Sequence, residues 1–289
     1  MFPEHLSKDF GKFVESFDKP APDLFDKNEI IPEIKRLLEN AINIRAGNAP
    51  IAIAFSGGLD SLILAFLCDK LKKKFHLYSI GTEGAPDLES AQKVANYFGW
   101  PITIKVLNQD YVESLLKEAY NIIPNPDVIK MGIGAVVLEV LRLAKNDGHT
   151  ALMVGLGAEE IFAGYNRHEN AMKQGRLHEE CWAGLYNLFE QDLSRDGALA
   201  ANVSMKLFAP FLDKPVIAYA MRIVPELKLS LDQKKIILCD MAVAAGIPKE
   251  FAMRKKKAMQ YGSYFDKEFE KIAKKRGFNS KKDYMNSLK

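Results

Sequence analysis

The sequence predicts an α/β fold in which a parallel sheet is followed by a mainly helical C-terminal half. Three observations lead to this prediction. Short apolar runs alternate with amphipathic segments between residues 51 and 154, the pattern of parallel strands joined by crossover helices. Two glycine-rich segments follow such runs, at the strand ends where α/β sheets bind ligands. Beyond about Phe162, helical spacing dominates and strand-like runs are absent.

The first 28 residues contain three prolines and no long hydrophobic period, so we interpret residues 1–28 as an N-terminal arm. Residues 29–289 are expected to form one domain, with its sheet part ending near 162 and a helical part after it. The domain begins with a helix over 29–46, where apolar residues recur at helical spacing.

A buried strand comes next. Ile51 to Phe55 is an unbroken apolar run, the composition of a parallel strand that is covered on both faces. A helix from Ser61 to Lys73 follows it, and its closing lysines suit the negative end of the helix dipole. The same patterns predict, in chain order, a strand at 75–81, a helix at 87–98, a strand at 102–107, helices at 111–120 and 133–146, a strand at 151–154, and helices at 169–172, 181–192, 214–223, 233–245 and 265–276.

Composition restricts the class of protein. The chain has 289 residues, 48% of them hydrophobic, and a net charge of +3, so nothing indicates a nucleic-acid or membrane partner. Its three cysteines are widely spaced (Cys68, Cys181 and Cys239), which argues against a disulfide framework and a cysteine-rich zinc site. No signal peptide or membrane span is apparent. We therefore expect a soluble, cytoplasmic protein.

The first glycine-rich segment, Ser56-Gly57-Gly58-Leu59-Asp60-Ser61, joins the buried strand to the next helix. Its glycines allow the backbone to turn with positive φ and to approach a ligand closely. Free N–H groups at the start of a helix attract phosphate, and the two serine hydroxyls add donors. Asp60 would repel phosphate unless a divalent cation lay between them, and magnesium is commonly held by a carboxylate together with phosphates.

This segment is neither a Walker loop nor a dinucleotide fingerprint, because G-x-x-x-x-G-K-[ST] and G-x-G-x-x-G are both absent from it. A plain turn of small residues is the structural alternative. The segment resembles the PP-loop of the ATP pyrophosphatases, which cut ATP between the α and β phosphates. Asparagine synthetases, GMP synthetases, argininosuccinate synthetases and several tRNA-modifying enzymes share that loop.

Three further segments are similar to asparagine synthetases. Gly155 to Tyr165 (GLGAEEIFAGY) resembles the family's S-G-E-G-A-D-E-x-F-G-G-Y, Pro210 to Asp213 resembles its P-F-L-D box, and Arg254 to Gly262 resembles its R-x-K stretch. The resemblance runs from about Glu29 to Gly262. It implies a PP-loop ATP pyrophosphatase fold related to that of β-lactam synthetases.

The resemblance also implies roles for individual residues. Ser56, Gly58, Asp60 and Ser61 would hold the ATP phosphates, and Ala54, Ile80 and Gly155 would supply backbone contacts to the adenine. Phe55 and Gly57 would also belong to the ATP-binding residues. Asp60 and Glu159 would hold Mg²⁺. Lys256 would neutralise the pyrophosphate and the adenylation transition state, for which a solvated cationic face is the alternative. Glu160 is a candidate base, or else a structural carboxylate.

The sequence departs from the family pattern at four places. Leu156 stands where asparagine synthetases carry a glutamate that handles protons, and Glu159 stands where they carry the magnesium aspartate. Phe208 replaces the arginine of the family's E-x-R, and Cys239 replaces the arginine of its K-x-x-L-R. In addition, position 2 is Phe2 rather than the cysteine nucleophile with which the family's glutaminase domain begins. No release of ammonia from glutamine is expected from this chain.

The resulting hypothesis is an ATP- and Mg²⁺-dependent ligase that adenylates a carboxylate, with aspartate as the family default. The nitrogen would come from free ammonia, another amine or a separate glutaminase subunit. Two alternatives remain. One is a different PP-loop adenylation, such as that of an RNA base, although the near-neutral charge disfavours it. The other is a catalytically weakened subunit that binds nucleotide without turnover.

Overall fold

The fold is built around a five-stranded parallel sheet. The computed structural model describes residues 9–47, 49–254 and 259–288. The strands lie in the order β3-β2-β1-β4-β5. They are β1 (Ile51–Ala54), β2 (Phe75–Thr82), β3 (Ile102–Leu107), β4 (Ala151–Met153) and β5 (Lys206–Phe208). The α/β class and the parallel sheet predicted from the sequence are confirmed.

Helices surround this sheet and form most of the second half of the chain. They are α1 (Phe10–Glu15), α2 (Lys27–Ala46), α3 (Leu59–Lys70), α4 (Pro86–Phe98), α5 (Gln109–Ile122), α6 (Val128–Asn146), α7 (Ala158–Ile161), α8 (Asn166–Lys173), α9 (Leu177–Leu188), α10 (Ser194–Asn202), α11 (Lys214–Ala220), α12 (Pro225–Lys228), α13 (Ile236–Ala244), α14 (Lys249–Ala252), α15 (Met259–Gly262), α16 (Phe265–Lys275) and α17 (Lys281–Asn286). A π-helical turn, Phe189–Leu193, connects α9 to α10.

The strand order reverses next to β1. On one side of β1 lie β2 and then β3, and on the other side lie β4 and then β5. The chain therefore adds strands outward from β1 in both directions. The neighbours of β1 are fixed by the pairs Ala54 with Tyr78 and Ile53 with Met153. In an open parallel sheet, a crevice opens beyond the carboxyl ends of the strands where the order reverses, and ligands bind there. The two glycine-rich segments follow β1 and β4 at this point.

One prediction about the second half is wrong. Strand β5 lies beyond residue 162, where no strand was expected, and it extends the sheet by pairing with β4. It has only three residues, with Lys206 exposed and Leu207 buried, so no hydrophobic pattern marks it. Register with β4, rather than local composition, makes this segment a strand.

The residues predicted as an arm are not irregular throughout. Helix α1 packs against α9 and buries Phe10 and Val14. The ring of Phe17 then lies 5.8 Å from that of Trp182 on α9. No helix in the described part of the chain is long and apolar enough to cross a membrane.

Candidate active site

The first glycine-rich loop begins where β1 ends. Gly57 has φ of +65°, and a Cβ atom there would lie 2.7 Å from the Ser90 side chain and 2.9 Å from the Ala91 nitrogen of α4. Only glycine satisfies both the backbone angle and this close packing. The Ser61 hydroxyl donates to the Gly58 carbonyl at 3.1 Å. The loop is therefore compact before any ligand binds.

Helix α3 begins in this loop without a side-chain cap. Its N-cap is Gly58, which makes no side-chain hydrogen bond to the first turn. By contrast, Asp26, Asn108 and Asp127 cap α2, α5 and α6 through their side chains. An uncapped first turn at the carboxyl edge of a sheet leaves backbone donors and the positive end of the helix dipole for an anion. This geometry suits the predicted binding of phosphate.

The second loop packs directly on the first. A Cβ atom at Gly155 would lie 2.9 Å from the Cβ of Asp60. Gly157 has φ of +93°, and a side chain there would overlap Leu212 of the Pro-Phe-Leu-Asp segment. Two glycines thus bring the ends of β1 and β4 together, so that α3 and α7 start side by side at the reversal of strand order.

A lysine joins the two loops. The Lys235 Nζ lies 2.8 Å from both carboxylate oxygens of Asp60 and 2.8 Å from Glu159 Oε1. Gly164 permits this approach, because a side chain there would overlap both Lys235 and Glu159. Burial alone would lower the pKa of Lys235, but the two carboxylates outweigh burial and hold that pKa above its ordinary value. Lys235 is therefore a buried cation with two anionic partners.

The sequence analysis gave Lys235 no role, although it lies at the centre of this cluster. Its backbone has φ of +52° immediately before α13. Such a φ is uncommon for a residue with a side chain, and it persists only where the surroundings impose it. Its only signal in the sequence is its place as the first residue of the K-x-x-L-R pattern. Nothing local links it to its partner Asp60, which is 175 residues away along the chain.

The predicted magnesium ligands do come together. Asp60 and Glu159 project from neighbouring loops onto one shared cation, the Lys235 ammonium. Carboxylate oxygens that converge on one point are the ligands that Mg²⁺ prefers in proteins. The donor set therefore fits the metal, with Lys235 at present holding the two carboxylates. No cluster of three or more His, Cys, Asp or Glu side chains suited to a metal occurs among the described residues, so phosphate or water oxygens would complete the shell.

Glu160 lies in a different environment from its neighbour Glu159. It is buried against α9, where Gly184 leaves room for its side chain. The Tyr165 hydroxyl donates to Glu160 Oε1 at 2.8 Å. Burial, helped by the nearby Asp192 carboxylate, raises the pKa of Glu160 to about 7. Asp192 belongs to the π-helical turn and pairs with the buried Arg195 at 2.8 Å.

Three residues predicted to contact ATP, Ala54, Phe55 and Ile80, lie at the carboxyl ends of β1 and β2, whereas Gly155 follows β4. Ala54 is half-buried, whereas Phe55 and Ile80 are buried. The Phe55 N–H donates to the Tyr78 carbonyl at 2.9 Å, and its ring packs edge-on against Trp100. Phe55 is therefore held in the core.

The cationic segment near residue 256 is described only at its edges, since Lys256 lies outside the described residues. Arg254 Nη2 donates to the Ser56 carbonyl at 3.3 Å and lies 3.9 Å from Asp87. On the other side, Gly262 packs against Asp87 so tightly that a side chain there would overlap its carboxylate. Arg254 therefore contacts the first loop, and both Arg254 and Gly262 lie close to Asp87 of α4.

Besides Glu159, the three other departures from the family pattern occupy varied positions. Leu156 is half-buried and packs against the hydrophobic core. Phe208 ends β5, and its carbonyl accepts from Val154 N–H at 2.8 Å. Cys239 is buried, with its thiol 3.4 Å from the Ala252 carbonyl. Leu156 and Phe208 carry no ionisable group, and burial raises the pKa of the Cys239 thiol, so none of the three supplies charge to the site.

Comparison with known proteins decides the family. The sequence model of the asparagine synthase family matches residues 33–182 and 169–285. The chain belongs to the asparagine synthase family. This membership confirms the resemblance drawn from the glycine-rich loops and the Pro-Phe-Leu-Asp segment.

Relatives with this domain are longer proteins. A Methanocaldococcus jannaschii protein provisionally named asparagine synthetase [glutamine-hydrolyzing] 1 is 30% identical over 89% of this chain and 54% of its own length. Asparagine synthetase B [glutamine-hydrolyzing] of Escherichia coli is 28% identical over 85% of this chain and 47% of its own length. The chain thus spans about half the length of these curated relatives. Among solved structures, an NMN synthetase from Francisella tularensis is similar at TM-score 0.45, with 13% identity over 92% of this chain and 93% of that one.

Proposed function

We propose that this protein is an ATP-dependent, AMP-forming ligase that joins a carboxylate to an amine. In the first half-reaction, a carboxylate oxygen attacks the α-phosphorus of ATP, and the bond to the β-phosphate oxygen breaks, releasing pyrophosphate. In the second, the amine attacks the carbonyl carbon of the acyl-adenylate. AMP leaves with the bonding electrons, and the nitrogen loses a proton. Aspartate is the acceptor that family membership favours.

The single observation that carries this proposal is the pairing of the two loops at the reversal of strand order. Asp60 lies in the first turn of α3, which has no side-chain cap, and its carboxylate shares the Lys235 ammonium with Glu159. One loop offers donors to phosphate, and the pair of carboxylates offers oxygens to a cation that neutralises phosphate. Stabilisation of developing charge by groups already in place is commonly the largest contribution to nucleotidyl transfer.

We assign further roles within this proposal. Ser56 and Ser61, with the glycines between them, hold the phosphates, while Ala54, Ile80 and Gly155 border the adenine. When bound at Asp60 and Glu159, Mg²⁺ would neutralise charge on the phosphates. Lys256 would add a cation next to the leaving pyrophosphate, a role that family resemblance favours, and Arg254, two residues before it in the sequence, donates to the Ser56 carbonyl.

Glu160 is proposed to take up the proton that the amine loses. Its pKa of about 7 suits a group that exchanges a proton near neutral pH. The half-buried Leu156 cannot do this, although asparagine synthetases carry a glutamate there. The amine is proposed to be free ammonia, a small primary amine, or ammonia delivered by a separate glutaminase subunit. We place the reaction in the cytoplasm, consistent with three buried and unpaired cysteines, Cys68, Cys181 and Cys239.

The experiment that tests this function is a screen for pyrophosphate release from ATP and Mg²⁺. Amino acids and small carboxylic acids are supplied one at a time, with and without ammonia, and Asp60→Asn serves as the control. Release that depends on one acceptor and falls at least ~100-fold in Asp60→Asn supports the ligase. If no acceptor releases pyrophosphate while ATP still binds, the proposal of a stand-alone enzyme fails, and a nucleotide-binding subunit explains the fold.

A further inference from the structure

Lys235 lies at the cation site of the proposed function, and its role there rests on that function. We propose that the Lys235 ammonium is the built-in counterion of Asp60 and Glu159, and that a divalent cation entering with ATP displaces it. Lys235 is thus a positioning residue, which keeps the two carboxylates together until the metal arrives.

The hydrogen-bond geometry supports a dedicated site. An ammonium group has three N–H donors, and the Lys235 ammonium has three acceptor oxygens at 2.8 Å, two on Asp60 and one on Glu159. The side chain is 9% exposed, whereas that of Glu159 is 37% exposed. The Lys235 side chain therefore reaches the carboxylates from the protein interior, whereas part of the Glu159 side chain is exposed to solvent.

The electrostatics explain why a counterion is needed. Two carboxylates that converge on one point repel each other, and burial strengthens this repulsion because the surroundings screen it poorly. The Lys235 ammonium offsets this repulsion before a metal binds. Mg²⁺ needs the same oxygens, and it takes them at about 2.1 Å. Both cations cannot share them, because like charges would then lie in direct contact.

The backbone conformation of Lys235 indicates that the surrounding structure holds this lysine in place. Lys235 keeps φ of +52° at the start of α13, and Gly164 leaves the space through which its stem reaches the carboxylates. The adjacent Lys234 differs. It lies on the surface, where it pairs with Glu169 at 2.8 Å and donates to Asn166. Two neighbouring lysines of the same charge thus provide a matched pair for a test.

The test compares the thermal stability of wild type, Lys235→Met and Lys234→Met in the absence of nucleotide, with MgCl₂ or with NaCl of equal ionic strength. We expect Lys235→Met to melt about 5 °C or more below wild type without metal, because the buried cation that lies between the two carboxylates is removed. Mg²⁺ should restore at least about half of this loss by binding only the folded state. Wild type and Lys234→Met should shift by less than about 1 °C with Mg²⁺.

Two more variants make the outcome decisive. Lys235→Gln keeps a hydrogen-bond donor and should show the same dependence on Mg²⁺, while Asp60→Asn/Lys235→Met should lose it because only one carboxylate remains. Equal Mg²⁺ responses in wild type and Lys235→Met would overturn the proposal. If neither Lys235→Met nor Lys235→Gln folds even in Mg²⁺, the metal cannot replace the ammonium, and the proposal also fails. Since no turnover is measured, failure of the ligase assay and failure of this test are independent.

Discussion

Gly155 and Asp60 are in direct contact across the reversal of strand order, with room for no more than a hydrogen atom on Gly155. A Cβ atom at Gly155 would lie 2.9 Å from the Asp60 Cβ and 3.7 Å from the Ser61 nitrogen. The end of β4 therefore sets the position of the first turn of α3. Any side chain added at Gly155 would therefore disturb the first glycine-rich loop, although that loop's own sequence is unchanged.

This contact makes Gly155→Ala a test of the paired loops. We expect the added methyl group to push Asp60 and the first turn of α3 aside, which should weaken ATP binding by about tenfold or more, equivalent to ~1.4 kcal/mol. The measurement is isothermal titration calorimetry with Mg²⁺ and a non-hydrolysable ATP analogue.

The matched control is Gly132→Ala in helix α6. Among the described residues, the new Cβ would meet only Gln260, at 3.6 Å, an ordinary contact, and alanine favours a helix by up to about 1 kcal/mol over glycine. This control should bind the analogue like wild type and unfold at a slightly higher temperature. Unchanged affinity in Gly155→Ala would show that the two loops do not form one site.

Glu160→Gln tests whether the buried carboxyl group exchanges a proton during turnover. The pKa of Glu160 is raised to about 7 by burial and by Asp192, and only the ionised form can accept a proton. We expect wild-type kcat/KM to rise as the pH passes through about 7. Glu160→Gln should lower kcat about 100-fold and lose that limb of the profile. The same limb in both proteins would mean that Glu160 is purely structural.

Glu113 provides a prediction about acid stability that is independent of the active site. Its carboxylate accepts from Arg276 at 2.9 and 3.0 Å and from the Tyr284 hydroxyl at 3.0 Å, so it ties α5 to the C-terminal helices. Burial would raise the pKa of Glu113, but Arg276, Lys117 and Tyr284 together lower it to about 2. The folded pKa lies below the unfolded value, so the stabilisation is present above about pH 4.5 and is lost as the pH falls toward 2.

Glu113→Gln should therefore lower the free energy of unfolding by about 2 kcal/mol at pH 7. The difference from wild type should shrink below about pH 4.5, as urea denaturation at several pH values would show. Glu270→Gln is the control, because its partner Lys274 is exposed and an exposed pair contributes about 0–1 kcal/mol. A difference that stays constant down to pH 2.5 would contradict the assigned network.

The sequence was sufficient to predict the parts of the site that depend on neighbouring residues. The loop from Ser56 to Ser61 follows an apolar strand and opens a helix, and that local order already predicts the phosphate-binding geometry. The loop that begins at Gly155 likewise follows a strand, β4, and opens a helix, α7. Because parallel strands end at one edge of a sheet, the convergence of the loops followed from the alternation alone.

Features that depend on distant residues could not be predicted. The role of Lys235 depends on carboxylates that only folding brings near it, and its positive φ is imposed by packing. Strand β5 exists because β4 offers Lys206 to Phe208 a partner, not because three residues prefer to be a strand. The raised pKa of Glu160 depends on burial and on Asp192, which lies in the π-helical turn.

The proposed function depends on one step, the cleavage of ATP between its α and β phosphates at this pair of loops. The most direct measurement follows ATP labelled at the α-phosphate, with Mg²⁺ and the acceptor found by the screen, and separates the products by chromatography. We expect labelled AMP in amounts equal to the pyrophosphate released, and we expect Asp60→Asn to abolish the formation of both products. Labelled ADP together with inorganic phosphate would contradict it, because cleavage would then occur at the γ-phosphate.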